Sequence, residues 1–100
     1  MPYERTIEIG IVEGVIVRLS QSGTPIERYS VVLLAFADGN WETIRVYDNH
    51  RGTHHMHRYT QEGGKQPEAP FYEGRTNEAI PAAIAHLKAH WEAIIESWKS

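Results

Sequence analysis

From Tyr3 to Leu19 the side chains alternate, with Tyr3, Arg5, Ile7 and Ile9 and then Val15, Val17 and Leu19 in phase, which is the two-residue period of a half-buried strand. Gly10 and Gly14 interrupt the pattern and mark a bulge or a short turn between two pieces. Gln21 to Pro25 is a loop by composition. A strand follows from about Glu27 to Phe36, and its apolar run Val31 to Phe36 is that of a central strand covered on both faces. Asp38-Gly39 predicts a type I′ hairpin, since both residues tolerate positive φ, and the next strand runs from Trp41 to about Tyr47. His54 to Thr60 reads as a further strand. Gly63 to Gly74, with Pro67 and Pro70, reads as a long loop. Thr76 or Asn77 caps a helix whose stripe Ile80, Ile84, Leu87, Trp91, Ile94, Ile95 and Trp98 belongs in the core, and Pro81 is tolerated if the cap is at Asn77 or later.

Strands followed by one amphipathic helix predict an α+β fold: a four- to five-stranded antiparallel sheet with one long helix, about Asn77 to Trp98, packed on one face. One hundred residues, 41% hydrophobic and 23% charged, suit a single domain over 1–100. One helix covers one face of the sheet, so the other is solvated or meets a partner. With no cysteine, thiolate metal sites and disulfides are excluded, and a reducing compartment fits. No apolar run reaches the length of a membrane span and the first residues are no signal peptide, so a cytoplasmic protein without membrane partners is the expectation.

The net charge of −3 argues against broad non-specific nucleic-acid binding, yet Arg45, Arg51, Arg58 and Lys65 outnumber Asp48 and Glu62 between residues 45 and 65. Four of the six histidines, His50, His54, His55 and His57, stand in that stretch. Imidazole exchanges protons near neutrality and is also the commonest metal ligand. If Ile44, Val46 and Met56 face the helix, alternation puts Arg45, Tyr47, His55, His57 and Tyr59 together on the open side. That set has the parts for metal-free RNA cleavage: His55 and His57 exchange protons, Arg45 or Arg58 stabilises the charge on phosphorus, and Tyr47 or Tyr59 positions the nucleotide. His50, Arg51, His54 and Lys65 then contact the substrate. An acid–base pair of this kind predicts a bell-shaped pH dependence.

Other readings use the same residues. No cofactor is required for the acid–base version; the alternative is a divalent metal on His55 and His57 with His50 or Asp48. His-x-His before Glu62 lacks the glycine spacing of cupin metal motifs, and Tyr59 stands where a histidine triad needs its third imidazole. Gly63-Gly64-Lys65 lacks the Walker spacing. His86 and His90, four apart on the helix, read as structural residues beside the apolar stripe. A non-catalytic module is the rival from another class, with the open face and edge strands docking a partner or a second copy to make a homodimer. A loop with a coincidental excess of histidine is the blandest reading.

Arg45-Val46-Tyr47-Asp48-Asn49-His50 followed by His54-His55-Met56-His57-Arg58-Tyr59 resembles small bacterial proteins of unknown function that are similar to TumE-type toxins of toxin-antitoxin pairs, in which Arg-Tyr-Asp-Asn precedes a His-x-His element. Here Val46 intervenes after Arg45, and the connection to the histidines is shorter. The resemblance implies a compact antiparallel sheet with a C-terminal helix and a growth-arresting activity restrained by a partner encoded beside it, a cognate antitoxin.

Overall fold

The computed structural model describes residues 4–99, so Tyr3 lies outside the described residues. Seven strands run in the order β1 (Glu4–Val12), β2 (Val15–Ser22), β3 (Arg28–Ala37), β4 (Asn40–Asp48), β5 (His54–Thr60), β6 (Gly64–Lys65) and β7 (Ala69–Tyr72), followed by α1 (Thr76–Lys99). Each strand pairs antiparallel with the next from β1 to β6, and β7 returns to pair with β5. The α+β architecture is as expected, with more strands than expected. The additional two lie in the stretch read as a loop, where Pro70 stands in the short strand β7. Proline lacks the ladder N–H and is tolerated only at such marginal positions.

Both glycine signals in the first hairpin correspond to breaks. Pairing slips between Gly10 and Val12, and Gly14, at φ 79°, makes the turn into β2. Asp38 and Gly39 both adopt positive φ, 52° and 82°, as a type I′ turn requires.

Val15, Val17 and Leu19 of β2, Tyr29, Val31 and Leu33 of β3, and Ile44 and Tyr47 of β4 meet Ala79, Ile80, Ala83, Leu87, Ile94 and Trp98 of α1 in one core. Arg75 is the helix N-cap. Its carbonyl accepts from the N–H of Ala79 at 2.9 Å, while the Glu78 carboxylate accepts from the Arg75 N–H at 3.0 Å, which is half of a capping box. The helix therefore begins one residue before the expected start, with Pro81 in its second turn, where it removes one backbone bond without ending the helix. Among the described residues no helix is long and apolar enough to cross a membrane.

The face away from α1 is not uniform. Residues in register across it form a polar row, Thr6, Ser20, Ser30, Asp48 and His55. Farther along, Phe36 and Trp41 are paired and about half exposed. The expectation that β3 is covered on both faces holds at Leu33 and Leu34 and ends at Phe36.

Candidate functional site

A bulge in β4 decides where the chemistry lies. Leu33 pairs with Arg45 and Leu34 with Thr43, leaving Ile44 as the extra residue. The phase of the strand changes there, so Arg45 and Tyr47 follow Ile44 onto the helix side while Val46 and Asp48 face the other way. The expected grouping of Arg45, Tyr47, His55, His57 and Tyr59 on the open side is thereby divided. Val46 pairs with His57 and Asp48 with His55 on one face; Arg45 pairs with Arg58 and Tyr47 with Met56 on the other. Tyr59 also leaves the histidines, packing at the rim of the core and lining a cleft with Arg45, Arg58 and Trp98.

On the open side, His57 and Asp48 are both buried, at 8% and 7% exposure. The His57 Nε2 atom lies 3.0 Å from Asp48 Oδ2, and its Nδ1 lies 3.5 Å from Glu68 Oε2 without a good hydrogen bond. Arg51 completes the chain by donating to Glu68 Oε1 at 2.8 Å. This line of charge ties β4, β5 and the segment before β7 together, and it encloses His57 instead of presenting it. His55 is half-buried, with its ring 3.2 Å from the Thr53 hydroxyl. His50 is exposed, 3.9 Å from Asp48. The alternative metal set of His55, His57, His50 and Asp48 does not converge: among the described residues no three histidine, aspartate or glutamate side chains are placed to hold a metal ion.

His54, expected to touch substrate, is a core residue. Its Nε2 lies 2.9 Å from the Gly74 carbonyl, which can only accept, so the proton is on Nε2 and Nδ1 accepts from the Tyr29 hydroxyl at 2.7 Å. Both nitrogens are satisfied. Burial and then the charge of Asp48 push the Tyr29 phenol above the ordinary tyrosine value. Lys65 is exposed on β6, opposite Tyr59.

The helix side holds a different constellation. Tyr47 is 1% exposed, yet its hydroxyl has no hydrogen-bond partner among the described residues. It borders a cleft of about 320 Å³ lined by Arg45, Tyr47, Met56, Phe71, Ala82 and His86. Burial pushes the Tyr47 phenol up, opposed by the neighbouring Arg45 guanidinium, which favours the phenolate without making a hydrogen bond of good geometry. The Tyr47 ring meets Phe71 edge-on at 4.7 Å and His86 at 6.2 Å. His86 is held below the ordinary histidine value by burial, then by His90, whose ring is 4.6 Å away, then by Arg45. Arg45 also lines a second cleft of about 210 Å³, with Arg58, Tyr59, Gln66 and Trp98. In the groove between α1 and the β4–β5 pair the two clefts thus hold two guanidinium groups, the His86 imidazole and the Tyr47 ring, with exposed His90 beside His86 and outside the lining of both.

His86 and His90 were legible as a pair four residues apart, but their partners come from a bulged strand. Gln66 and Phe71 lie in the stretch read as a loop and carried no signal.

An antiparallel sheet with one long helix packed on it defines an α+β domain. Residues 3–100 match the family model described as Domain of unknown function (DUF7718), and the chain belongs to that family. No curated protein and no solved structure matches the chain.

Proposed function

We propose that the groove binds single-stranded RNA and cleaves it without a metal, as a toxin-like ribonuclease. The observation that carries this reading is the cleft shared by Arg45, His86 and Tyr47, whose buried hydroxyl has no hydrogen bond of good geometry among the described residues. A buried hydroxyl without a partner costs on the order of 1–3 kcal/mol, and a phosphate oxygen is the acceptor that suits both it and the adjacent guanidinium.

In the proposed reaction the ribose 2′-oxygen bonds to phosphorus as the bond to the 5′-oxygen breaks. Neutral His86 takes the 2′-hydroxyl proton, and protonated His90 gives one to the departing 5′-oxygen. Arg45, Arg58 and the Tyr47 O–H meet the charge gathering on the non-bridging oxygens. The products are a 2′,3′-cyclic phosphate and a 5′-hydroxyl end, and DNA, lacking the nucleophile, is bound but not cut.

A fluorogenic oligoribonucleotide in EDTA tests this. His86→Ala lowers the rate by about 100-fold or more, the scale of general acid–base catalysis, and a 2′-deoxy residue at the scissile position abolishes cleavage. Unchanged cleavage in both His86→Ala and Arg45→Ala ends the reading.

A second reading, a non-catalytic docking module, is favoured by the exposed residues Val12, Phe36 and Trp41, of which Phe36 and Trp41 stack edge-on at 5.4 Å. A homodimer seated there dissociates on Trp41→Ser in light scattering, whereas a cognate antitoxin bound there leaves the isolated protein monomeric. Expression by itself separates the two functions, because the ribonuclease arrests growth and the docking module does not.

A further inference from the structure

We infer that Arg45 divides two nucleoside subsites, so that the groove takes a dinucleotide unit and prefers, in one of the two, a base that carries an exocyclic amino group. The inference rests on the RNA reading above and adds what the site selects. Arg45 borders both clefts, about 320 Å³ and about 210 Å³, and its register partner Arg58 lines the second. A phosphate held by the arginines has room for a nucleoside on either side.

The two clefts differ in chemistry. The larger is walled by Met56, Phe71 and the ring of His86, surfaces on which any base stacks. The smaller holds Gln66, whose orientation is fixed by chemistry. Its amide nitrogen donates to the Gly64 carbonyl at 3.0 Å and approaches the Thr60 hydroxyl at 3.4 Å. Its backbone N–H donates to the Arg58 carbonyl at 2.7 Å, which seats the residue beside the arginine pair. Since the Gly64 carbonyl can only accept, the nitrogen must point that way, and the side-chain carbonyl oxygen is left without a donor among the described residues. Adenine, guanine and cytosine carry an amino group that can donate to it. Uracil does not.

Dinucleotides with a 2′-deoxy first sugar bind without being cut, and Trp98 in the smaller cleft supplies a fluorescence signal. Titrating each base order against mononucleotides and inorganic phosphate, we expect dinucleotides to bind roughly tenfold tighter than mononucleotides, since one additional stacked base is worth roughly fivefold to a hundredfold. Replacing the amino-bearing base by uracil at one position weakens binding several-fold, and Gln66→Leu removes that discrimination without changing the affinity for phosphate. Phe71→Leu reduces the dinucleotide gain while keeping the discrimination, which separates the clefts without relying on the Gln66 variant. Equal binding of mono- and dinucleotides, or discrimination that survives Gln66→Leu, overturns the inference while Arg45-dependent phosphate binding still supports the RNA reading. If neither phosphate nor any nucleotide binds the wild-type protein, both fall.

Discussion

Arg45 and Arg58 stand directly opposite each other on β4 and β5, and among the described residues neither is ion-paired with a carboxylate. Like charges facing across an antiparallel pair oppose folding, so an arrangement that carries two of them without compensation is one that an anionic ligand stabilises. Arg58→Glu should convert the repulsion into a cross-strand ion pair, raising stability by up to ~1 kcal/mol in chemical denaturation while RNA binding is lost. Reduced stability in this variant, or binding that persists, contradicts the assignment.

Tyr47 gives the same contrast by a different route. Tyr47→Phe keeps the ring packed against Phe71 and removes only a hydroxyl that makes no hydrogen bond of good geometry among the described residues. Stability is expected to be unchanged or higher by about 1 kcal/mol, because the desolvation cost disappears with the group. RNA affinity falls in the same variant. A clear loss of stability would mean that the hydroxyl is satisfied in the folded protein.

His54 and His55 are adjacent in sequence and should respond oppositely. His54→Ala empties a core position and leaves the Tyr29 hydroxyl and the Gly74 carbonyl without partners, at a cost of about 2–4 kcal/mol. His55→Ala removes a half-buried ring that, among the described residues, is bonded only to Thr53, and should change stability by about 0.5 kcal/mol or less. Thermal melts of the two variants decide it, and equal destabilisation would show that the strand is phased differently.

Much of the fold was legible because it depends on periods that local sequence carries: the stripe from Ile80 to Trp98, the alternation from Val15 to Leu19, and Asp38-Gly39 as a turn. The site was not, and one residue explains most of the difference. Ile44 and Val46 suggest a regular strand with Tyr47 facing outward, but the bulge at Ile44 turns Tyr47 into the core and moves Arg45 to the helix side with it. Pairing slips of this kind are set by the neighbouring strand, which local alternation cannot report. The histidine cluster was visible as a cluster, while its division into a structural His54, an enclosed His57 and the more accessible His55 and His50 required Tyr29, Gly74 and Glu68 from elsewhere in the chain.

The response to pH follows from the same residues. His86 is held below the ordinary histidine value, so on acidification the unfolded chain takes up its proton first. The folded state therefore loses stability as pH falls through about 6.5 towards the lower folded value. The effect is small because the ring is partly in solvent. An anion in the groove favours protonated His86, so phosphate should raise its titration midpoint in NMR; a midpoint unmoved by phosphate argues against ligand beside this ring.

Tyr29 and Tyr47 act at the other end of the scale. Both phenols are raised, so above pH ~10 the unfolded chain releases protons that the folded chain keeps, and stability falls as pH rises from there. Phenolate absorbance at alkaline pH should report unfolding and ionisation of these two rings together. Their ionisation in the still-folded protein would place them in solvent.

In the proposed reaction the chemistry belongs to the groove of Arg45, Tyr47 and His86 and not to the histidines of the opposite face. The most direct measurement compares cleavage of one RNA, in EDTA, by the Arg45→Ala/His86→Ala variant and by the His50→Ala/His55→Ala variant. The first is expected to be inactive and the second to cleave within a few-fold of wild type, both remaining folded. Retained activity in the first with loss in the second would contradict it and return the site to the open face of the sheet.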